Sequence, residues 1–294
     1  MPTQKLTDRT LSTGVTLNDF VHIVNPNDLT QNPAGSSYKA TVQQVMNTIS
    51  DYTIMVLGTG IGSTERCANG NSADGAYSTV SGGRLNTSYC DYSVNSGGRE
   101  NWVLGDYSTV SGGYCNTITG DTSVIGGGRG NTNLGSCSFI GGGGFNTSDC
   151  KNSVISGGLG NTTMSCYSTI SGGYLNVVEG KCSVIGGGSF NTASAYVSTI
   201  SGGLHNTVSA YYGVIGGGLC NTILSNYGGI LGGSGNTVNQ ECSYIVGNGI
   251  TTDCPNTTYM NCLSIIDLPD ESALPLPAGS VWYCSTTCSI YYVP

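Results

Sequence analysis

A single 15-residue phrase recurs from about Ser63 to Thr252 without an insertion or deletion. Each repeat contains one asparagine, and a glycine precedes each asparagine after the first by four residues. A repeat this short cannot bury its own apolar residues and must stack on its neighbours. The repeat asparagines are Asn71, Asn86, Asn101, Asn116, Asn131, Asn146, Asn161, Asn176, Asn191, Asn206, Asn221 and Asn236.

The local pattern within each repeat indicates strands rather than helices. Helical repeats need more than about thirty residues, whereas the phrase Ser-x-Ile-x-Gly alternates with a period of two and places β-branched residues between the polar ones. No proline falls between Ala34 and Cys254, so none would interrupt a ladder of paired strands. We therefore predict an all-β chain built as a parallel β-solenoid of 15-residue coils, with equivalent residues stacked about 4.8 Å apart.

We call the residues at one position of successive repeats a column. When the coils stack, the residues of a column lie in a row along the solenoid. The β-branched column, from Val80 to Ile245 with Asn95 as its exception, is the predicted core. The asparagine column is a predicted internal ladder of side-chain amides. Threonine and valine alternate in the column before the core residue, as at Thr79 and Val94. That outward column is more apolar than a free surface needs, which indicates that another surface covers it.

The expected core is thin, because one isoleucine and a few mixed apolar residues per coil bury little area. We therefore expect several chains to share their apolar faces. The prediction is an intertwined or side-by-side homotrimer wound about a common axis.

Composition narrows the classes of function. The chain of 294 residues has 47 glycines, 9% charged residues and a net charge of −8, so a nucleic-acid backbone is not an expected partner. We interpret the acidic residues of the solenoid as scattered over different columns, which predicts neither calcium sites nor the paired carboxylates of a glycoside hydrolase. The chain has only two histidines, His22 and His205. We therefore expect no metal site, no cofactor and no enzymatic activity.

The 13 cysteines share no common column. The series Cys150, Cys166 and Cys182 advances by sixteen residues and could bring neighbours within bonding range. Near the C-terminus, Cys284 and Cys288 flank a predicted turn and form a second candidate disulfide.

The repeat divides the chain into four predicted parts. Residues 1–50 form an N-terminal segment with a helix predicted from Ala40 to about Ile49, residues 51–66 a joining strand, residues 67–252 the solenoid, and residues 253–294 a C-terminal cap with a β-hairpin. No apolar h-region follows the first residues, so we expect no signal peptide. No apolar run approaches 18 residues, so we expect no membrane-spanning helix.

Two stretches carry a resemblance. The segment from Leu17 to Val45, with its strand ending in His-Ile-Val, its Asn-Pro turn and the run Gly-Ser-Ser-Tyr-Lys-Ala-Thr, resembles the N-terminal segments of phage tail fibres and other virion appendages. The phrases Ser-Val-Ile-Gly-Gly-Gly and Ser-Thr-Ile-Ser-Gly-Gly resemble the head repeats of trimeric autotransporter adhesins. The second resemblance implies a left-handed β-roll. The first implies a virion localisation, assembly in the host cytoplasm and attachment to a baseplate or tail protein through the N-terminus.

Aromatic residues supply the candidate binding surface. Tyrosine recurs in one column of the solenoid, and a second group lies near the C-terminus; such rows can stack on sugar rings of host glycans, although they could equally pad the coil corners or an interchain seam. The candidates are Tyr77, Tyr92, Tyr107, Tyr167, Tyr212, Tyr227, Trp282, Tyr291 and Tyr292. The sequence thus favours a structural fibre of a virion with host adhesion. The alternatives are a non-viral surface adhesin or extracellular filament subunit, and an ice-binding solenoid using the threonines that follow the repeat asparagines.

Overall fold

The computed structural model describes residues 20–25, 36–41, 55–66, 70–261, 281–284 and 289–292. These residues form strands and turns, and none of them is helical. The central part is a parallel β-solenoid of about 13 coils, as predicted from the period. Each coil contributes one short strand to each of two sheets, and strands pair with the equivalent strand one coil away.

Sheet 1 contains 15 strands and begins with an antiparallel pair, β3 and β4. Its strands are β3 (Met55–Leu57), β4 (Thr64–Arg66), β6 (Thr79–Val80), β8 (Val94–Asn95), β10 (Thr109–Val110), β12 (Val124–Ile125), β14 (Phe139–Ile140), β16 (Val154–Ile155), β18 (Thr169–Ile170), β20 (Val184–Ile185), β22 (Thr199–Ile200), β24 (Val214–Ile215), β26 (Gly229–Gly232), β28 (Tyr244–Val246) and β29 (Thr258–Met260).

Sheet 2 contains 12 parallel strands. They are β5 (Ser72–Ala73), β7 (Thr87–Ser88), β9 (Trp102–Val103), β11 (Thr117–Ile118), β13 (Thr132–Asn133), β15 (Thr147–Ser148), β17 (Thr162–Thr163), β19 (Val177–Val178), β21 (Thr192–Ala193), β23 (Thr207–Val208), β25 (Thr222–Ile223) and β27 (Thr237–Val238).

Two inward columns, one from each sheet, fill the space between the sheets. The first is the predicted β-branched column from Val80 to Ile245, which is buried in every coil. The second, which we call the Ala73 column, was not recognised from the sequence because it mixes apolar, small and polar residues. Its members are Ala73, Ser88, Val103, Ile118, Asn133, Ser148, Thr163, Val178, Ala193, Val208, Ile223 and Val238, all fully buried.

The outward side of sheet 1, which we call face 1, consists of two columns. The Thr79 column contains Thr79, Val94, Thr109, Val124, Phe139, Val154, Thr169, Val184, Thr199, Val214, Gly229 and Tyr244. The Ser81 column, two residues later in each coil, contains Ser81, Ser96, Ser111, Gly126, Gly141, Ser156, Ser171, Gly186, Ser201, Gly216, Leu231 and Val246. Because side chains alternate across a strand, both columns point away from the core.

The repeat asparagines form a hydrogen-bonded ladder at one turn of each coil, and all except Asn71 are fully buried. Asn116 is typical: its backbone N–H donates to Asn101 Oδ1 at 3.0 Å, and its amide nitrogen donates to the carbonyls of Gly112 at 3.1 Å and Gly128 at 3.0 Å. One side chain therefore ties three successive coils together at the turn, where strand pairing is interrupted.

The second glycine of each pair is required by close packing at this turn. Gly113 has φ = 94°, and a Cβ there would lie 2.2 Å from the carbonyl oxygen of Gly128 and 2.7 Å from the amide nitrogen of Asn116. No side chain fits between the ladder and the next coil.

Polar groups terminate the inward columns at both ends of the solenoid. At the first coil, Glu65 is in register with Val80, and its carboxylate accepts the backbone N–H of Ala73 at 2.7 Å. That N–H belongs to the edge strand of sheet 2, and no earlier strand of the described residues pairs with it. At the last coil, Tyr259 is in register with Ile245 and packs partly against the core. The prediction of an unbroken 15-residue period is wrong at this end. The register shifts between Ile230 and Gly232, so that Gly232 pairs with Val246 and Tyr244 with Thr258, each 14 residues later.

The segments outside the solenoid are described only as paired strands. β1 (Phe20–Asn25) pairs antiparallel with β2 (Ser36–Thr41), so Ala40 and Thr41 lie in a strand and not at the start of the predicted helix. The remainder of that predicted helix lies outside the described residues. β30 (Val281–Cys284) and β31 (Ser289–Tyr292) form the hairpin predicted for the C-terminal part.

Candidate functional site

The tyrosine column lies on an exposed turn that joins sheet 2 to sheet 1 of the next coil. Each of its tyrosines adopts a left-handed backbone conformation, for example φ = 57° at Tyr107, which turns the side chain outward. The Tyr77 and Tyr92 rings are stacked with centroids 5.2 Å apart, and the Tyr92 and Tyr107 rings with centroids 4.9 Å apart. Repeat spacing and aromatic attraction act together here, since rings one coil apart fall within the range of offset stacking.

Stacking determines which parts of the rings a ligand can reach. Both faces of Tyr92 are covered by its neighbours, and the outer face of Tyr77 lies against Gly62, where a Cβ would be 2.8 Å from the ring. The ring edges with their hydroxyl groups remain exposed, and Tyr107, which is 62% exposed, is followed in its column by Thr122 and not by another ring. A sugar could stack on Tyr107 but would meet the other two rings at their edges.

Three aspartates run beside this stack, contrary to our interpretation that the acidic residues form no row. Asp91, Asp106 and Asp121 occupy one column on consecutive coils. The backbone N–H of Asp91 donates to Asp106 Oδ1, and that of Asp106 donates to Asp121 Oδ1, both at 3.0 Å. The carboxylates therefore substitute for missing main-chain acceptors at the turn, and the sequence signal was their common spacing of fifteen.

We call the surface formed by Tyr77, Tyr92, Tyr107, Asp91, Asp106 and Asp121 the acidic tyrosine edge. It presents phenol hydroxyls and carboxylate oxygens to solvent in rows with the spacing of the coils. The adjacent Cys90 thiol responds to this charge: burial raises its pKa, and the charges of Asp106, Asp121 and Asp91 raise it further. Such an edge can donate to and accept hydrogen bonds from a polyhydroxylated ligand.

The other tyrosines of the column form a separate cluster or stand alone. Tyr212 and Tyr227 are stacked with centroids 5.1 Å apart, and Tyr196 contacts Tyr212 edge to face. Tyr167 has the ammonium group of Lys181 5.6 Å from its ring centroid, so one of its faces is occupied by a cation.

A second aromatic row, at the asparagine-ladder turn, was not recognised from the sequence. Arg99 and Arg129 both lie over the Tyr114 ring, at 5.4 and 5.8 Å, and Arg129 also lies over the Phe145 ring at 5.4 Å. Arg99, Tyr114 and Arg129 share one column and Phe145 lies in the next, but neither column keeps basic or aromatic residues in every coil. Arg99 also forms an ion pair with Glu100 at 2.8 Å. The Cys115 thiol and then the Arg99 guanidinium lower the pKa of the Glu100 carboxyl by hydrogen bonding to it.

The threonines that follow the repeat asparagines lie on the outward side of sheet 2. They form one column, interrupted by Trp102 and Val177. The next outward column on that side is irregular and includes Asp149, Met164 and Leu224. The side therefore has one regular threonine row beside a row of uneven height and charge.

Of the candidate disulfides, Cys150 and Cys166 are bonded with a Cα–Cα distance of 4.8 Å. The Cys182 thiol, third in the same series, is free. Cys288 lies outside the described residues, and Cys284, Trp282, Tyr291 and Tyr292 are described only as strand positions. The predicted pairing of Cys284 with Cys288 and the predicted tip contacts stay predictions.

Within the described ranges, no three His, Cys, Asp or Glu side chains come together in a way that could hold a metal ion. The same part of the chain contains no helix long and apolar enough to cross a membrane. Comparison with protein-family models gave no match, and no curated protein matched the sequence either.

Proposed function

We propose that this chain is a structural fibre protein of a virion, such as a phage tail fibre, that adheres to glycans on the host surface. A β-solenoid of this kind is compatible with fibre, adhesin and ice-binding roles. The observation that carries our choice is the acidic tyrosine edge, because exposed phenol and carboxylate groups at a fixed spacing on a rod suit recognition of a polyhydroxylated surface.

The mechanism we propose is adhesion through repeated weak contacts. Sugar hydroxyls would hydrogen-bond to the exposed tyrosine hydroxyls and to the aspartate oxygens left free by the turn, and one sugar ring would stack on Tyr107. Several such contacts along one rod, and several rods on one particle, would multiply a weak affinity. The N-terminal segment, by its resemblance to virion appendage segments, would attach the rod to a baseplate or tail protein.

Glycan binding by the full-length protein tests this proposal. On an array of bacterial surface polysaccharides, we expect Tyr107→Ala to weaken binding about two- to tenfold, since one aromatic stacking contact is lost. Tyr174→Ala, which removes an exposed tyrosine at the opposite turn, is the control and should bind as the unaltered protein does. The proposal of glycan adhesion fails if no array glycan is bound, or if both variants lose binding equally.

The virion assignment needs a separate experiment. Antibody labelling of particles by electron microscopy should place the protein on an appendage, with the label for its N-terminus nearer the particle. Labelling of a cell surface or of free filaments would favour the alternative of a non-viral adhesin or filament subunit.

Ice binding is the second candidate, supported by the threonine row of sheet 2. A measurement of thermal hysteresis decides it. We expect no hysteresis above that of an unrelated protein at equal concentration, because the neighbouring row is uneven and carries charge.

A further inference from the structure

Face 1 carries no charged side chain on the 12 coils from Thr79 to Val246; one coil earlier, the exposed Arg66 of β4 lies in line with Ser81. Its threonine, valine, serine and glycine residues form a narrow strip that runs the length of the solenoid. The outward side of sheet 2 differs, because it carries Asp74, Asp149 and Glu179. A partner for face 1 must itself be uncharged and must match a repeat of one coil.

Side-chain size is balanced between the two columns of face 1 within each coil. A valine in the Thr79 column usually goes with a glycine in the Ser81 column, as at Val184 and Gly186, and a threonine goes with a serine. At one coil the order reverses, with Gly229 in the first column and Leu231 in the second. The coils of Val94 and Val154 combine valine with serine, and the last coil has Tyr244 with Val246.

Close contact with the next coil determines where glycine occurs in the Ser81 column. A Cβ on Gly126 would lie 2.4 Å from the carbonyl oxygen of Gly141, and one on Gly216 would lie 2.4 Å from that of Leu231. Contact with the backbone of the next coil therefore keeps these two positions as glycine. The outward surface carries no side chain there, next to the valine of the same coil.

A two-fold axis parallel to the rod satisfies this pattern. Such an axis sets two copies face to face, pointing the same way, with the Thr79 column of one copy opposite the Ser81 column of the other in the same coil. Valine then meets glycine, threonine hydroxyls meet serine hydroxyls, and Leu231 meets the Gly229 position. The coils repeat at about 4.8 Å in both copies, so the match holds along the rod up to the register shift between Ile230 and Gly232.

Other arrangements lose this match. An antiparallel two-fold pair would set the Thr79 column against itself and the Ser81 column against itself in reverse order, so that a valine would no longer face the glycine of an equivalent coil. A three-fold axis cannot lay one flat face against the same face of a neighbour. The expectation of three chains from sequence is therefore not the one that face 1 favours.

An apolar groove near the C-terminal end of face 1 could bind a side chain of the second copy. It has a volume of about 320 Å³ and is lined by residues including Val214, Gly229, Tyr244 and Val246. Leu231 also lines the groove and is 72% exposed, and the Tyr244 ring lies over Gly229. In the parallel pair, Leu231 of each copy would enter the groove of the other and contact the Tyr244 ring.

We infer that face 1 is the contact surface between two copies of this chain, arranged in parallel and in register about a two-fold axis. A strip about 58 Å long and about 12 Å wide would remove roughly 1,400 Å² in total from solvent, within the range of stable interfaces. This inference goes beyond the proposed function and does not require glycan binding.

Molar mass in solution tests the pair. By light scattering on the full-length protein under reducing conditions, we expect about 60 kDa, twice the 30.1 kDa chain. Leu231→Asp should raise the dissociation constant at least about 100-fold, since it would bury unpaired charge. Leu224→Asp, which alters an exposed leucine on the opposite sheet, is the matched control and should leave the mass unchanged. Thr169→Lys at mid-face, with folding checked by circular dichroism, gives a second disruption far from the groove.

Orientation and salt dependence complete the test. Electron microscopy with a C-terminal tag should show both tags at one end of the rod, and the dissociation constant should not change between low and high salt because the face is uncharged. A monomer, a trimer of about 90 kDa, tags at opposite ends, or equal effects of Leu231→Asp and Leu224→Asp would each overturn the inference. Glycan binding can fail while the pair persists, so this inference and the proposed function are tested separately.

Discussion

At the scale of single residues, the ladder asparagine is the side chain that satisfies most backbone groups in each coil. Asn161 donates its amide to Gly157 at 3.0 Å, to Gly173 at 3.0 Å and to Asn146 Oδ1 at 3.2 Å. An aspartate of the same shape cannot donate these bonds and would direct a buried charge at two carbonyls.

We therefore expect Asn161→Asp to lower the free energy of unfolding by about 3–5 kcal/mol at neutral pH, as unpaired buried charges do. The loss should shrink as the pH falls, because the protonated carboxyl regains a donor. Asn152→Asp, at an exposed turn position, is the matched control and should change stability by less than about 0.5 kcal/mol. Urea unfolding measures both; equal effects would contradict the ladder's energetic role.

A second prediction concerns a buried polar group without a partner. The Thr163 hydroxyl lies in the Ala73 column, is fully buried and has no hydrogen-bond partner. Val178 occupies the same column one coil later, so valine fits there. Thr163→Val should raise the free energy of unfolding by about 1 kcal/mol by removing the desolvated hydroxyl. Thr162→Val, on the outward side of the same strand, should change it little, and thermal unfolding of both variants decides the matter.

At the scale of elements, the last coil depends on one tyrosine. The Tyr259 hydroxyl donates to Asp253 Oδ1 and accepts the backbone N–H groups of Asp253 at 3.1 Å and Cys254 at 2.7 Å. The hydrogen bond from Tyr259 lowers the pKa of the Asp253 carboxyl. A carboxyl with a lowered pKa stabilises the folded coil above its unfolded pKa, and this contribution is lost as the pH falls through the folded value.

We accordingly expect hydrogen exchange of residues 253–260 to accelerate at acid pH before the central coils respond. Tyr259→Phe should accelerate it several-fold at neutral pH and remove most of its dependence on acid. Tyr244→Phe, in the same sheet but facing outward, serves as the control. If the two variants exchange alike, Tyr259 does not hold the last coil.

The sequence predicted the elements whose columns are uniform. The period fixed the coil, the β-branched column gave one side of the core, and the asparagines gave the ladder. The Ala73 column was missed because its residues range from alanine to asparagine, and inward direction follows from the backbone geometry of the coil. The row of Asp91, Asp106 and Asp121 was missed because only three of the twelve coils carry it. The row of Arg99, Tyr114 and Arg129 lies in one column, but it was missed because glycine, leucine and serine occupy that column in later coils.

At the scale of the whole molecule, the solenoid should behave as a sum of coils and contacts between neighbours. Deletion of residues 177–206 removes two coils and joins Asn176 to Thr207, which preserves every column and the alternation on face 1. We expect this variant to fold into a rod shorter by about 10 Å. Small-angle scattering measures the change in length.

The control is deletion of residues 177–205, one residue fewer. It shifts all later columns by one position, so inward residues would point outward and the coils beyond the junction could not pack. A folded rod of similar length from this control would contradict the dependence on a fixed period.

The polar residues at the ends of the inward columns determine how the length of the rod is set. Among the described residues, Glu65 and Tyr259 end the inward column of the parallel coils, and β3 pairs antiparallel with β4 in front of Glu65, so the parallel stack stops at both residues. The length of the solenoid is then set by the number of repeats in the gene and does not depend on protein concentration. Each repeat adds about 4.8 Å between two fixed ends. Unequal recombination between repeats would lengthen or shorten the rod in steps of one coil. Natural variants of this chain would therefore differ in length but keep Glu65 and Tyr259 at the two ends.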